Sequence, residues 1–279
     1  MEVIISEEIG FCSGVRLALK KLDELTEKEK NTKIYSIGEI IHNKDVVEHY
    51  KNKGVIITEK IEETKDGIGV VRAHGLPLSM VNKAKEEGYK IIDATCPFVR
   101  KISSIIEEEI KRGFKIFLIG EKDHPEVIAS SYDYRDQVTI IDYTNFNPEE
   151  FNCKFNKCAI ISQTTLEEEI FIEIAKYFLS HCYETHIYNT ICPATKRRQK
   201  SAIDVAKNVD LMIVLGGKKS SNTKRLYEKC SRIKKTLHLE RITEIDPEVL
   251  KGVKKVGITA GTSTPDWIIE EAIEFLKKY

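Results

Sequence analysis

Three of the seven cysteines stand in a context that could build a metal centre. Cys12, Cys96 and Cys192 each follow an apolar run that predicts a strand, and each precedes a stretch with helical periodicity. A helix that begins directly after a cysteine favours the thiolate form of that cysteine, which is the form that binds metals. Three thiolates could bind zinc with one open position, or three irons of a cubane iron–sulfur cluster. Because no C-x-x-C pair supplies a local metal signature, nucleophilic or structural roles for these cysteines stay open.

The other cysteines and the composition limit the class of protein. Cys153, Cys158, Cys182 and Cys230 lack the shared context and are interpreted as structural or incidental. The 44 basic and 44 acidic residues of the 279-residue chain cancel, which argues against an electrostatic nucleic-acid binder. No apolar run approaches the length of a membrane span, and the first residues do not form a signal peptide. We therefore expect a cytoplasmic protein without a disulfide framework and without a nucleic-acid or membrane partner.

The elements that must position the three cysteines form a threefold repeat. About a dozen short apolar runs predict strands, and amphipathic stretches between them predict helices, a pattern typical of α/β proteins with mostly parallel sheets. A glycine that ends a strand and opens a polar loop follows each cysteine at a similar distance: Gly38, Gly120 and Gly216. The repeat predicts three similar α/β units arranged pseudo-threefold around a central cavity, with chance recurrence as the alternative. The expected domains are 13–96, 97–192 and 193–279, the third completed by the N-terminal strand within 1–12.

The polar loops after these strands carry the side chains expected to meet a ligand, because parallel α/β sheets bind ligands beyond the carboxyl ends of their strands. Three loop histidines could hydrogen-bond a phosphate or ligate a metal. The segment KSSNT could bind an anion at a helix N-terminus, or form a plain N-cap and turn. The glutamate of HPEV could deliver a proton, or simply lie at an exposed helix start. These candidates and two further hydroxyl residues are His42, His74, His124, Glu126, Thr164, Ser220, Ser221, Asn222 and Ser263.

At these residues the chain resembles the LytB family of 4-hydroxy-3-methylbut-2-enyl diphosphate reductases. The resemblance spans almost the whole chain, and its motifs taken together are highly specific. They are GFCSGV, GEIIHN, VRAHG, DATCP, DHPEV, SQTTL, ICPAT, GGKKSSNT and AGTSTPDW, in this order. The fold that the resemblance implies, three α/β units around a central cavity, agrees with the repeat.

The resemblance implies roles for individual residues. Cys12, Cys96 and Cys192 are expected to hold one [4Fe–4S] cluster, whose fourth iron keeps an open site. Glu126 and Thr164 are expected to relay protons at the reaction centre, and His124 is expected to contribute there as well. The residues expected to bind the substrate diphosphate are His42, His74, His124, Ser220, Ser221, Asn222 and Ser263.

The implied activity is a two-electron reductive dehydration, the last step of the methylerythritol phosphate pathway of isoprenoid biosynthesis. A small allylic diphosphate takes up two electrons and two protons, loses water, and becomes isopentenyl or dimethylallyl diphosphate. The implied electron donor is of the ferredoxin or flavodoxin type. Two other classes stay open on the residues alone: a zinc-dependent hydrolase acting on a phosphorylated metabolite, and a non-catalytic metabolite-binding protein. Neither a Walker A loop nor a G-x-G-x-x-G turn after a strand supports nucleotide binding.

Overall fold

A computed structural model describes residues 1–151 and 154–279, so Cys153 lies outside the described residues. Strands and α-helices alternate along this part of the chain. The strands are β1 (Glu2–Ile5), β2 (Lys33–Ile37), β3 (Val55–Thr58), β4 (Gly67–Val71), β5 (Lys90–Asp93), β6 (Lys115–Ile119), β7 (Val138–Ile141), β8 (Phe155–Ser162), β9 (Cys182–Tyr188), β10 (Leu211–Leu215), β11 (Thr236–Leu239) and β12 (Lys255–Ala260). The helices are α1 (Ser13–Lys28), α2 (Lys44–Asn52), α3 (Leu78–Glu86), α4 (Pro97–Lys111), α5 (Pro125–Ser131), α6 (Glu168–His181), α7 (Pro193–Ala206), α8 (Ser221–Ser231) and α9 (Asp266–Lys277).

The strands form three four-stranded sheets that repeat one topology. Their orders are β3-β2-β4-β5, β7-β6-β8-β9 and β11-β10-β12-β1, and every neighbouring pair is parallel. In the third sheet, β1 takes the edge position that β5 and β9 take in the others. The prediction of three similar α/β units with parallel sheets is confirmed. Their arrangement around one cavity and the division into three domains stay predictions.

The central strands are apolar along most of their length, as parallel strands covered on both faces must be. All five residues of β10, LMIVL, are buried, as are four of the five in β6, KIFLI. A sheet covered by helices on both faces requires such continuous apolar runs. The helices complement them with one apolar stripe; in α4 the stripe is Val99, Ile102 and Ile106.

The chain divides into two compact units. Unit 1 comprises Met1–Arg16, Ile41–Tyr50 and Pro193–Tyr279, and contains the β11-β10-β12-β1 sheet. Its core includes Ile213, Ile258 and Leu276. Unit 2 comprises Leu17–Ile40 and Lys51–Cys192, and contains the other two sheets. Its clusters of buried residues include those around the two faces of β6.

Two cysteines that the sequence analysis interpreted as structural or incidental are joined, although no disulfide was expected. A disulfide links Cys158 on β8 to Cys182 at the start of β9, and the two strands are neighbours in one sheet. No spacing pattern could have predicted this pair, because the partners meet only through the strand pairing.

Among the described residues, no helix is long and apolar enough to cross a membrane.

Candidate functional site

The sheet register places the predicted polar residues at equivalent strand ends. Ile37, Ile119 and Leu215 end the second strand of each sheet and pair with Val71, Ser162 and Ala260 of the third. Counted from these ends, His42, His124 and Ser220 occupy the same place in their loops. The expected match between the two histidine loops and the KSSNT loop is therefore present in the structure.

One main-chain hydrogen bond recurs at all three cysteines. The Cys96 N–H donates to the Ala73 carbonyl and the Cys192 N–H to the Thr164 carbonyl, both at 2.9 Å. The Cys12 N–H donates to the Thr262 carbonyl at 3.3 Å. These carbonyls belong to equivalent positions beyond the third strand of each sheet. The fold thus fixes each cysteine backbone against the neighbouring strand end.

The same hydrogen bond identifies further equivalent residues in the three units. The residues that follow the three carbonyls are His74, Thr165 and Ser263. Thr165, rather than Thr164, is therefore the structural counterpart of the other two. Only the strand pairing identifies this counterpart, because it defines where each loop begins.

The three candidate cysteines have the chemistry that a metal centre requires. Cys12, Cys96 and Cys192 are half-buried thiols outside any disulfide, and each stands at the N-terminal end of α1, α4 or α7. By contrast, Cys230 is fully buried, and burial raises the pKa of its thiol to about 12. The donor set of three accessible thiols fits an iron–sulfur cluster and also fits zinc.

Unit 2 brings together several of the predicted polar residues. The Thr164 N–H donates to Oε1 of Glu126 at 2.6 Å, and the Thr164 hydroxyl donates to Oε2 at 2.6 Å. The Glu126 N–H donates to Nδ1 of His124 at 3.2 Å. The His124 ring meets the ring of His74 edge to face, with centroids 5.6 Å apart. Since the Thr164 carbonyl accepts from Cys192, a continuous polar chain connects Glu126 to a cysteine backbone.

Glu126 is the titratable group whose environment is most altered in this chain of contacts. Its side chain is only 2% exposed, and burial raises the pKa of its carboxyl to about 7, with a smaller contribution from the charge of Glu121. The two hydrogen bonds from Thr164 oppose the shift because they favour the carboxylate. A carboxyl with this pKa can hold or release a proton near neutral pH.

Unit 1 holds the remaining polar candidates. The Ser263 hydroxyl donates to the His42 carbonyl at 3.2 Å. Gly217 lies against the same carbonyl, since a Cβ at Gly217 would come within 2.8 Å of the oxygen. Ser220 is the N-cap of α8, and its hydroxyl accepts the Thr223 N–H at 3.4 Å. Ser220 therefore forms the predicted N-cap, and anion binding by this loop stays a prediction.

Asn222 distinguishes this loop from an ordinary helix cap. Its side chain is 3% exposed, and neither its amide nitrogen nor its amide oxygen has a hydrogen-bond partner among the described residues. A buried amide without partners costs free energy, so this group requires a polar partner such as an ordered water or a bound ligand. Lys218 and Lys219, just before it, are exposed.

Sequence reasoning missed one residue that supports the Cys12 loop. Arg198 on α7 is 2% exposed, and its guanidinium donates to the carbonyls of Ala260 at 2.7 Å and Gly10 at 2.8 Å. Burial lowers the pKa of Arg198, and the Cys12 thiol interacts with its charge. In the sequence, the only indication of a role for Arg198 was the run of basic residues after Cys192. Such runs more often lie on the solvent-exposed surface.

Comparisons with known proteins agree over the full chain. The sequence model of the LytB protein family matches residues 3–277. A relative from Caldanaerobacter subterraneus subsp. tengcongensis, named 4-hydroxy-3-methylbut-2-enyl diphosphate reductase, is 43% identical over 99% of this chain and 97% of its own length. A relative of the same name from Aquifex aeolicus is 40% identical over 97% of this chain and 94% of its own.

Two solved structures are similar in fold. One is described as (E)-4-hydroxy-3-methyl-but-2-enyl diphosphate reductase, the terminal enzyme of the non-mevalonate pathway; it aligns with a TM-score of 0.74 and 37% identity, and the alignment covers all of both chains. The other is the E-1-hydroxy-2-methyl-but-2-enyl-4-diphosphate reductase of Plasmodium falciparum. It aligns with a TM-score of 0.88 and 28% identity over 99% of this chain and 88% of its own.

The raised pKa of Glu126 predicts a pH-dependent stability that Glu126→Gln removes. Between the ordinary carboxyl value of 4.5 and about 7, the folded protein keeps a proton that the unfolded chain releases. Wild type should therefore lose stability relative to Glu126→Gln as pH rises through this window, by roughly 3 kcal/mol at most. The measurement is the thermal unfolding midpoint of anaerobic protein from pH 4.5 to 8. The control is Glu86→Gln, a change at an exposed glutamate. If the curves of Glu126→Gln and wild type stay parallel, the raised pKa of Glu126 is contradicted.

Proposed function

Because the chain belongs to the LytB family, we propose that it is a 4-hydroxy-3-methylbut-2-enyl diphosphate reductase. It reduces and dehydrates this allylic diphosphate to isopentenyl and dimethylallyl diphosphate, as the last step of the methylerythritol phosphate pathway. The observation that carries the proposal is the buried Glu126 carboxyl, with its pKa near 7, bonded to a threonine that also fixes Cys192. We also propose that the reaction takes place in the cytoplasm, the compartment that the sequence analysis indicates.

Cys12, Cys96 and Cys192 are the proposed ligands of one [4Fe–4S] cluster. Their shared backbone hydrogen bond, their half-buried thiols and their helix N-termini support this set. When bound, such a cluster would supply electrons one at a time and, at a fourth iron without a protein thiolate, a Lewis acid for the substrate hydroxyl. The buried Cys230 and the paired Cys158 and Cys182 are not candidates.

The substrate diphosphate is proposed to bind through neutral donors and histidines. The buried Asn222 amide, which has both polar atoms unsatisfied, supports this reading, as do the buried hydroxyls of Ser220, Ser221 and Ser263. His124 accepts at Nδ1, so its neutral ring carries the proton on Nε2 and can donate from there. The other proposed histidine contacts are His42 and His74. Binding the diphosphate would supply remote binding energy that positions the alcohol.

Glu126 is the proposed source of the proton that makes hydroxide a better leaving group. Its pKa near 7 allows it to be protonated at the start of a cycle, and its bond to the Thr164 hydroxyl supplies a relay. Threonine alone is too weak an acid to be the source. His124 contacts Glu126 through the main chain and can help to set its position.

Serine replacements test the cluster ligands. Cys12→Ser, Cys96→Ser and Cys192→Ser should each abolish turnover and lower iron and sulfide content, because these clusters are held by thiolates and serine offers none. Iron and acid-labile sulfide are measured after anaerobic purification, with Cys230→Ser as the matched control that keeps both. Wild-type iron and turnover in any of the first three would remove that cysteine from the ligand set. Zinc in place of iron in wild type would favour the hydrolase class.

Removing the acid at Glu126 should separate chemistry from binding. Glu126→Gln should keep the cluster and substrate affinity but lose turnover by roughly 10²–10⁴, the usual size of a general-acid effect. Glu126→Asp should retain part of the activity, since the carboxyl survives with a shorter reach. Turnover is measured anaerobically with an artificial reductant, and Glu121→Gln serves as control for the loss of a nearby charge. Near-normal turnover of Glu126→Gln with intact cluster and binding would remove Glu126 from the mechanism.

The Asn222 amide should contribute more to the affinity for the substrate diphosphate than the nearby ammonium group of Lys219. A hydrogen bond to a charged group contributes about 1.5–3 kcal/mol, so Asn222→Ala should weaken substrate binding roughly tenfold or more. Lys219→Ala, matched in position but exposed, should change the affinity little. Calorimetric titration with substrate under anaerobic conditions measures both. A far larger effect of Lys219→Ala would show that a lysine, not the amide, binds the anion.

A further inference from the structure

The helices that begin at the three cysteines carry charges of unusual sign. None of α1, α4 and α7 has an acidic residue in its first turn, although acidic side chains stabilise helix N-termini. Basic residues stand near these ends instead, and the side chains of Arg16, Arg100 and Arg197 are 50–60% exposed. Cations at these ends oppose the helix dipole, so helix stability does not explain them.

In unit 2, such basic residues line a groove beside a cysteine. The groove has a volume of about 410 Å³ and lies between α1 and α4. Thr95 and Pro97, the two chain neighbours of Cys96, both line it. The groove therefore lies next to one of the proposed cluster ligands.

The groove is positively charged. Lys21, Arg100 and Lys101 line it, and none of its lining residues is acidic. Asp93 holds two of the cations in place, because its carboxylate pairs with Arg100 at 2.7 Å and its carbonyl accepts from Lys21 at 2.7 Å. Lys101 is exposed on the first turns of α4. One acidic group behind three cations leaves a net positive charge.

Apolar side chains lie among these cations. Leu17 lines the groove and is 37% exposed, and Phe98, next to Pro97 on α4, is also 37% exposed. Protein–protein interfaces combine apolar contacts with polar and charged ones. The groove thus has the composition of a docking surface for an acidic protein.

We propose that this groove docks a small acidic one-electron carrier of the ferredoxin type, an inference that rests on the proposed function. The reaction consumes two electrons, and the chain has no nucleotide-binding motif that would hold a hydride donor. The electrons must therefore come from another molecule that approaches the cluster ligands. Redox partners form small, transient interfaces whose association is steered by complementary charge. The charge of the groove selects an acidic partner, and its place beside Cys96 gives that partner the required access.

The test reverses one charge in the groove without touching the proposed site. In Lys101→Glu the residue stays exposed and helix-forming, so the fold is retained. Affinity for an oxidised acidic [4Fe–4S] ferredoxin is measured by calorimetry at low ionic strength, and turnover is measured with the same ferredoxin after reduction. Lys101→Glu should weaken binding and raise the KM for ferredoxin about fivefold or more, and added salt should shrink the difference. Iron content and turnover with a reduced viologen should not change.

The matched control is Lys176→Glu, an identical charge reversal at an exposed position of α6. It should leave ferredoxin affinity and the KM for ferredoxin at the wild-type values. Equal effects of the two variants on affinity would overturn the docking proposal, because only net charge would then matter. Absence of viologen-driven turnover in wild type would instead overturn the proposed function, whereas the affinity comparison would still decide the docking surface.

Discussion

All neighbouring strands of the three sheets pair in parallel, and this pairing decides where the loops and helix ends lie. In each sheet the four strands run in one direction, so their carboxyl ends share one edge. Parallel neighbours cannot be joined by tight turns, and the crossover helices that join them begin at that edge. Loop residues and helix N-termini therefore meet at the same edge of every sheet. The cysteines and the polar candidates all stand in this zone.

The shared edge also explains why main-chain contacts, rather than side chains, define the repeat. Each cysteine N–H donates to a carbonyl beyond the neighbouring strand, although the residues that supply the carbonyls are Ala73, Thr164 and Thr262. Backbone groups must be paired when they are buried, whatever side chain they carry. A fold can therefore keep three equivalent cysteine positions while the surrounding side chains diverge.

Two equivalent buried positions differ in their chemistry, because their side chains and hydrogen-bond partners differ. Glu126 and Asn222 occupy the same place relative to the ends of β6 and β10, and both are almost fully buried. Thr164 satisfies the carboxyl, and desolvation raises its pKa into the range useful for proton transfer. The amide has no hydrogen-bond partner among the described residues. Under the proposed function, one scaffold would supply a proton donor in one unit and an anion contact in the other.

The element types, the parallel α/β class and the residues at the strand ends could be predicted from the sequence. Short apolar runs such as LMIVL, alternating with amphipathic stretches, favour parallel strands covered on both faces, and cysteine, glycine and histidine recur after such runs. Tertiary structure alone decided the register that matches Thr165 to His74, the pairing of Cys158 with Cys182, the burial of Arg198 and the pKa of Glu126. Each of these depends on which strands become neighbours and how much water they exclude. Contacts between residues far apart in sequence set both, and no local pattern encodes them.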